Sequence, residues 1–205
     1  MSKLVNDLIK KGYLRTVRTA DAFSEISRIE FLPEEFAMQA DADVALPIGF
    51  GQIISQPSTA VLMLELLDPQ EGHKILDIES GSGWTTALLA YIVGEVGKVV
   101  AIERKEVLRG IGEYNVDKFG YIKEGRAEII SGDGSVGFPF EAPFDRILVS
   151  AEAEKIPEEL KKQLKVGGKM IIPVKNSLVY LEKKSEDEFI REEYPGFSFV
   201  PLILN

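Results

Sequence analysis

Three acidic residues, each at the end of an apolar run, are the best-placed chemistry in this sequence. Asp77 stands in Ile75-Leu76-Asp77-Ile78, Glu103 closes Lys98-Val99-Val100-Ala101-Ile102-Glu103, and Asp133 lies in Ser131-Gly132-Asp133-Gly134 after Ala127-Glu128-Ile129-Ile130. Behind the first acid comes Glu79-Ser80-Gly81-Ser82-Gly83, a glycine-rich turn that runs into Trp84-Thr85-Thr86-Ala87-Leu88-Leu89. Glycines let a backbone approach a ligand that any Cβ would obstruct. A helix start adds free N–H groups and partial positive charge. Together these features describe a nucleotide-type ligand site at the carboxyl ends of parallel strands.

The spacing narrows the ligand. A phosphate-binding P-loop needs Gly-Lys-Ser/Thr after its spacer, and no lysine lies between Lys74 and Lys98. A dinucleotide fingerprint needs a third glycine at the position held by Thr86. S-adenosylmethionine has no phosphates, an amino-acid end and a ribose with two free hydroxyls, and it fits better. Glu103 lies about one βαβ unit past the turn, where an acid accepts ribose hydroxyls. Asp133, between glycines at a strand end, can reach an adenine amino group. Asp77 alone is equally well read as a cap or turn residue. Acids at successive strand ends beside one glycine turn favour a binding site.

The elements that must position these residues alternate. Apolar runs at 75–78, 99–102, 127–130 and 146–150 read as strands, and 84–93, 106–119 and 157–164 as helices. The expected fold is α/β. It is a doubly wound, mostly parallel Rossmann-like sheet with a C-terminal antiparallel hairpin and N-terminal helices. Residues 3–40 read as helical, and Pro33 can open a further short helix. Residues 44–57 form a Gly/Pro-rich segment expected to wrap over the cofactor, followed by a helix over 58–67. Gly167-Gly168 is expected to cap the 157–164 helix, and Lys169–Pro173 to form a strand. Runs at 178–183, 189–193 and 197–204 are expected as further strands. Gly110 and Gly112 inside a helix cost about 1 kcal/mol each against alanine, and the sequence gives no reason for them. One domain over 1–205 is expected, with 1–57 as lead-in and covering segment and 58–205 as core.

Bulk composition excludes several classes. The chain has 205 residues, 45% hydrophobic and 28% charged, which is ordinary for a globular domain. Zero cysteines rule out disulfides and a thiol nucleophile, and the single histidine, His73, rules out a Ser-His-Asp triad. His73 reads as a surface loop residue. A net charge of −9 disfavours nonspecific nucleic-acid binding. No apolar run approaches the roughly 20 residues of a membrane span. The polar start Met1-Ser2-Lys3-Leu4-Val5-Asn6-Asp7 is unlike a signal peptide. A cytoplasmic monomer that binds neither metal, nucleic acid nor membrane is expected.

Other segments carry a resemblance. Phe31-Leu32-Pro33-Glu34-Glu35-Phe36, Ala45-Leu46-Pro47-Ile48-Gly49-Phe50-Gly51-Gln52-Ile53-Ile54-Ser55-Gln56-Pro57, the turn from Ile75 to Trp84 and Ala101-Ile102-Glu103-Arg104 resemble the protein-L-isoaspartate O-methyltransferase family. Gly132-Asp133-Gly134, Ala142-Pro143-Phe144-Asp145, Ile156-Pro157, Gln163 to Gly168 and Phe199-Val200-Pro201-Leu202 extend the likeness over most of the chain. The block from Pro47 to Pro57 is its most specific part. The resemblance implies a seven-stranded methyltransferase sheet, and transfer of a methyl group from S-adenosylmethionine to the carboxylate of L-isoaspartyl residues in damaged proteins. The ester then closes to a succinimide that can reopen to a normal aspartyl link. It also implies a catalytic Ser55, and a cofactor held by Asp77, Glu79, Ser80, Gly81, Ser82, Gly83, Glu103, Arg104, Gly132, Asp133 and Gly134. Substrate would meet Ile54, Ser55, Ser150 and Ala151. The carboxylate to be methylated is already ionised at neutral pH, so the site must orient it and needs no strong base. On residue types alone, Ser55 ahead of Pro57 reads as a helix cap; the surrounding motif favours catalysis.

The chain departs from the family pattern near the site. Glu79 stands where the first turn glycine is usual. Its charge would repel the methionine carboxylate of the cofactor, or attract the ammonium or sulfonium, and glycine there is expected to tighten binding. Ile53 replaces a usual threonine and Asp41 a common tyrosine, and Glu152 and Glu154 stand where small residues or proline are usual. Acids at 152 and 154 also suit the first turn of an exposed helix. Alternatives to repair are methylation of another carboxylate, or a binding protein that has lost catalysis.

Overall fold

The computed structural model describes residues 3–203. Met1, Ser2 and the end of the expected 197–204 strand lie outside them. Helices α1 (Lys3–Lys10) and α2 (Val17–Glu25) open the chain, and 3-10 turns follow at Arg28–Phe31 and Glu34–Gln39. The helical reading of 3–40 therefore holds for its first half only. Leu32 precedes Pro33 and is extended, with φ −110° and ψ 147°, because a following proline disfavours the helical region. The Gly/Pro-rich segment folds on itself as an antiparallel hairpin of β1 (Leu46–Gly49) and β2 (Gln52–Ile54). Next comes α3 (Pro57–Leu67), with proline in its first turn.

The alternating core is β3 (Lys74–Ile78), α4 (Trp84–Val93), β4 (Lys98–Glu103), α5 (Glu106–Asp117), β5 (Ala127–Ser131), β6 (Phe144–Val149), α6 (Glu158–Gln163), β7 (Leu164–Val174), β8 (Ser177–Lys183) and β9 (Phe189–Pro195). Seven strands form one sheet in the order β5-β4-β3-β6-β7-β8-β9. Strands β3 to β7 pair in parallel, and β8 and β9 close the edge as an antiparallel meander. The order reverses between β3 and β6, the switch point where such sheets bind ligands beyond their carboxyl ends. Register aligns Ile78 with Ile102 and Glu103 with Ser131. The tips carrying the acids thus converge.

Side chains alternate across the strands. Ile75, Val99 and Ala101 pack with α1 to α5 in one apolar cluster, while Leu76, Val100 and Ile102 pack with α6 in another. No helix among the described residues is long and apolar enough to cross a membrane.

Three local expectations are corrected. Gly167-Gly168 does not cap α6, because β7 already begins at Leu164 and the pair sits inside it, where pairing with β6 slips between Phe144 and Arg146. The 197–204 run is not a strand. Gly196 and Phe197 both donate to the Asn176 carbonyl, and the tail then crosses to Glu152 through short backbone bonds and a bridge at Pro201. Glu152 and Glu154 begin no helix; Glu152 is pinned against Val200 and Leu202, and α6 starts only at Glu158.

Candidate active site

The turn after β3 is fixed from below and from the side. Glu79 N–H and Ser80 N–H both donate to the Ile102 carbonyl, at 2.8 and 3.2 Å. Glu79 then adopts a left-handed backbone, φ 60°, a conformation natural to glycine and costly for other residues. At Gly83 a Cβ would lie 2.8 Å from Val116 Cγ2 and 2.9 Å from the Gly112 carbonyl. A Cβ at Gly112 would in turn lie 3.0 Å from the Gly81 carbonyl oxygen. Helix α5 therefore packs directly on the turn, which accounts for Gly112. Gly110 meets nothing within 4 Å, and nothing in the structure explains it.

The three acids have different places. Glu103 is 1% exposed and lines the cleft above the turn. One of its oxygens accepts from Gly81 N–H at 2.9 Å and the other from Lys105 N–H at 2.8 Å. Asp77 is fully buried beneath the turn, where its Oδ2 accepts from the Thr85 and Thr86 hydroxyls at 2.9 and 2.7 Å. Burial pushes its carboxyl up to about 6, against the pull of those two hydroxyls. Thr86 fills the missing-glycine position because it anchors the start of α4. Asp133 caps a 3-10 turn at Gly134–Val136, its Oδ1 accepting from the Ser135 N–H and hydroxyl. Asp77 and Asp133 do not face the cleft, and neither do Gly83, Arg104, Gly132, Gly134 and Ala151.

The cleft is lined by Ile48, Gln52 and Ile54 of the hairpin, by Glu79, Ser80, Gly81 and Ser82 of the turn, by Trp84 and Thr85 at the start of α4, and by Ser150 and Phe199. Ser55 lines it from the hairpin side. Ser55 also lines a second groove, with Tyr13, Ala45, Ile53, Gln56, Ser58, Thr59, Leu62 and Gly196 to Phe199, none of them charged. It does not cap α3. The cap position is Gln56, and Ser58 N–H in the first turn is satisfied instead by Asp43 Oδ1 at 2.8 Å. Tertiary contact has replaced the local cap.

Sequence reasoning missed Arg28. Its guanidinium is buried and donates to the carbonyls of Ala40 (3.3 Å), Ala42 (3.2 Å), Val44 (2.8 Å) and Ser55 (3.0 Å). It also lies 5.3 Å from the centre of the Trp84 ring, which meets the Phe23 ring edge-on. Burial lowers its pKa to about 10. One side chain thus ties the lead-in, the hairpin exit at Ser55 and the start of α4 together. The only local hint is an arginine inside an apolar stretch, Ile26-Ser27-Arg28-Ile29.

The residues present fit S-adenosylmethionine. Ser80 Oγ, Ser150 Oγ, Trp84 Nε1 and one Glu79 oxygen are buried without a hydrogen-bond partner and belong to cleft-lining residues, and buried polar atoms are otherwise nearly always paired. Glu103 stands where ribose hydroxyls are accepted in such folds.

The whole chain, residues 1–205, matches the family model described as Protein-L-isoaspartate(D-aspartate) O-methyltransferase. It is 43% identical to the protein-L-isoaspartate O-methyltransferase of Methanopyrus kandleri, over 98% of this chain and 90% of that one. It is 38% identical to that of Methanothermobacter thermautotrophicus, over 98% and 94%. A Plasmodium falciparum structure assigned to the same enzyme class, in complex with S-adenosyl-L-homocysteine, superposes with a TM-score of 0.88 at 24% identity, over 98% of this chain and 97% of that one.

Proposed function

This chain belongs to the protein-L-isoaspartate O-methyltransferase family, and from that premise we infer its reaction and the residues that carry it. It is an S-adenosylmethionine-dependent carboxyl methyltransferase that acts on L-isoaspartyl residues, the first step of their repair. The bound cofactor supplies a methyl group on a sulfonium sulfur, open to attack by a carboxylate oxygen. Glu103 and the turn residues Glu79, Ser80, Gly81 and Ser82 hold the cofactor. Asp77 and Gly83 act indirectly, through the shape of the turn, and Gly132, Asp133, Gly134 and Arg104 border it.

The observation that carries this assignment is the position of Ser55 in the wall shared by the turn cleft and the uncharged groove. A peptide laid in that groove brings its carboxylate to Ser55, whose hydroxyl donates to one oxygen and leaves the other aimed into the cleft. Ile53 and Phe199 also line both cleft and groove, and Ile54 and Ser150 line the cleft side; Ala151 is buried next to Ser150. Orientation of this kind is worth up to roughly 7–11 kcal/mol of barrier. The groove matches a substrate whose own charge is the carboxylate alone. A net charge of −9 sets the protein against nucleic acid and anionic membrane. A cytoplasmic monomer working as one domain is the simplest arrangement.

The test is methylation of an isoaspartyl peptide beside its aspartyl twin. Transfer to the first alone is expected. Ser55→Ala should lower kcat about 10- to 100-fold, the loss of one positioning contact, while S-adenosylhomocysteine binding in calorimetry stays unchanged. Equal rates for the two proteins would remove Ser55 from the mechanism, and equal methylation of both peptides would point to another carboxylate.

A further inference from the structure

Two carboxylates line the cleft, from Glu79 and Glu103, and no lysine or arginine lines it with them. Glu103 is held by backbone N–H groups through both oxygens. Glu79 is half-buried, and one of its oxygens is buried with no partner. Ser80, next along the turn and 6% exposed, likewise brings an unpartnered hydroxyl to the cleft. The Glu79 backbone is left-handed, so the side chain is retained at a position where glycine would relieve strain. Strain, a buried carboxylate oxygen without a partner and a cleft whose charged lining is acidic alone occur together at one residue.

We propose that Glu79 makes this cleft selective for the charge on the cofactor's sulfur, favouring the cationic sulfonium of S-adenosylmethionine over the neutral thioether of S-adenosylhomocysteine. The proposal rests on the methyltransferase reading above. The two ligands share adenosine, ammonium and carboxylate, so any effect of Glu79 on those groups cancels in the ratio of their affinities. Glycine at position 79 can therefore tighten both ligands and still abolish the discrimination. Functionally, such a site releases its product more readily than a neutral one. Unit charges several ångströms apart in a partly buried site interact strongly enough for about tenfold discrimination or more.

Protonation should tune the effect. Glu79 is faced by Glu103 from β4 and by Asp133 from the loop after β5, with Arg104 and Lys105 beyond the end of β4 opposing them. Burial first, and then the Glu103 charge, raise its carboxyl to about 7. Discrimination should be full at pH 8.5 and decline below pH 7, as the carboxyl protonates.

The experiment is isothermal titration of both ligands into the parent protein and into Glu79→Gln and Glu79→Gly, at pH 6 and 8.5 and constant ionic strength. In the parent, the S-adenosylmethionine to S-adenosylhomocysteine affinity ratio should exceed that of either variant about tenfold at pH 8.5 and shrink at pH 6. At pH 6.5, binding of the sulfonium ligand should release more protons than binding of the thioether, read from buffers of different ionisation enthalpy. Glu79→Gly keeps the test sound if Glu79→Gln folds poorly, because glycine accepts the backbone. Equal ratios in parent and variants would overturn the proposal while leaving the methyltransferase reading intact. Failure of the parent to bind either ligand would overturn both.

Discussion

Replacing Glu79 by glycine should stabilise the ligand-free protein, by an amount that grows with pH. The backbone part is independent of pH. A left-handed non-glycine residue costs about 1–2 kcal/mol, and the extra freedom of an unfolded glycine returns roughly 0.5–1 kcal/mol of that. A net gain of about 0.5–1 kcal/mol remains. The charge part follows from the carboxyl, raised from 4.5 to about 7 by burial and by Glu103. A group whose folded pKa lies above its unfolded one binds protons better when folded. The parent therefore loses stability as pH rises from about 4.5 through about 7, and the loss is complete above that. At about 1.4 kcal/mol per unit, this would reach about 3.5 kcal/mol for a fully buried group; partial exposure reduces it to about 1–2 kcal/mol. Urea melts of parent and Glu79→Gly should thus differ by about 0.5–1 kcal/mol at pH 4.5 and about 1.5–3 kcal/mol at pH 8. Glu79→Gln should reproduce only the pH-dependent part. A difference that does not change with pH, or a destabilised glycine variant, would refute the reasoning. Confirmation would mean that the parent sacrifices stability at a binding residue, as functional sites commonly do.

Two further variants probe the scaffold. Arg28→Lys replaces a planar fork, bonded to four carbonyls, by a single ammonium that cannot span them; urea melts should show a loss of about 2–4 kcal/mol, and kcat should fall more than S-adenosylhomocysteine affinity because the Ser55 carbonyl loses its anchor. Unchanged stability would show that the fork is dispensable. Gly112→Ala gains about 1 kcal/mol of helix propensity but drives a Cβ to 3.0 Å from the Gly81 carbonyl. Overpacking of about 1–3 kcal/mol should prevail, with weaker S-adenosylhomocysteine binding in calorimetry; a more stable variant with unchanged binding would show that α5 yields without moving the turn.

What the sequence determined by itself was what local chemistry encodes. Apolar runs of strand length alternating with helical spacing specify the parallel core, and β3 to β6 fall within a few residues of where periodicity puts them. The turn was legible because glycines and acids at strand ends are adjacent in sequence, and the block from Pro47 to Pro57 carried the family. Tertiary structure decided the rest, because the partners are distant along the chain. Arg28 reaches Ser55 across 27 positions, and Asp43 supplies the cap for α3 that Ser55 could have supplied. Gly112 is required only because α5 lies against Gly81 and Gly83. Asp77 and Glu103 look alike in sequence as acids ending strands, yet one supports the turn from beneath and the other faces the cleft. Which side of a turn a carboxylate occupies depends on what packs above it, and that is settled only when the hairpin, α4 and α5 close around the same few residues.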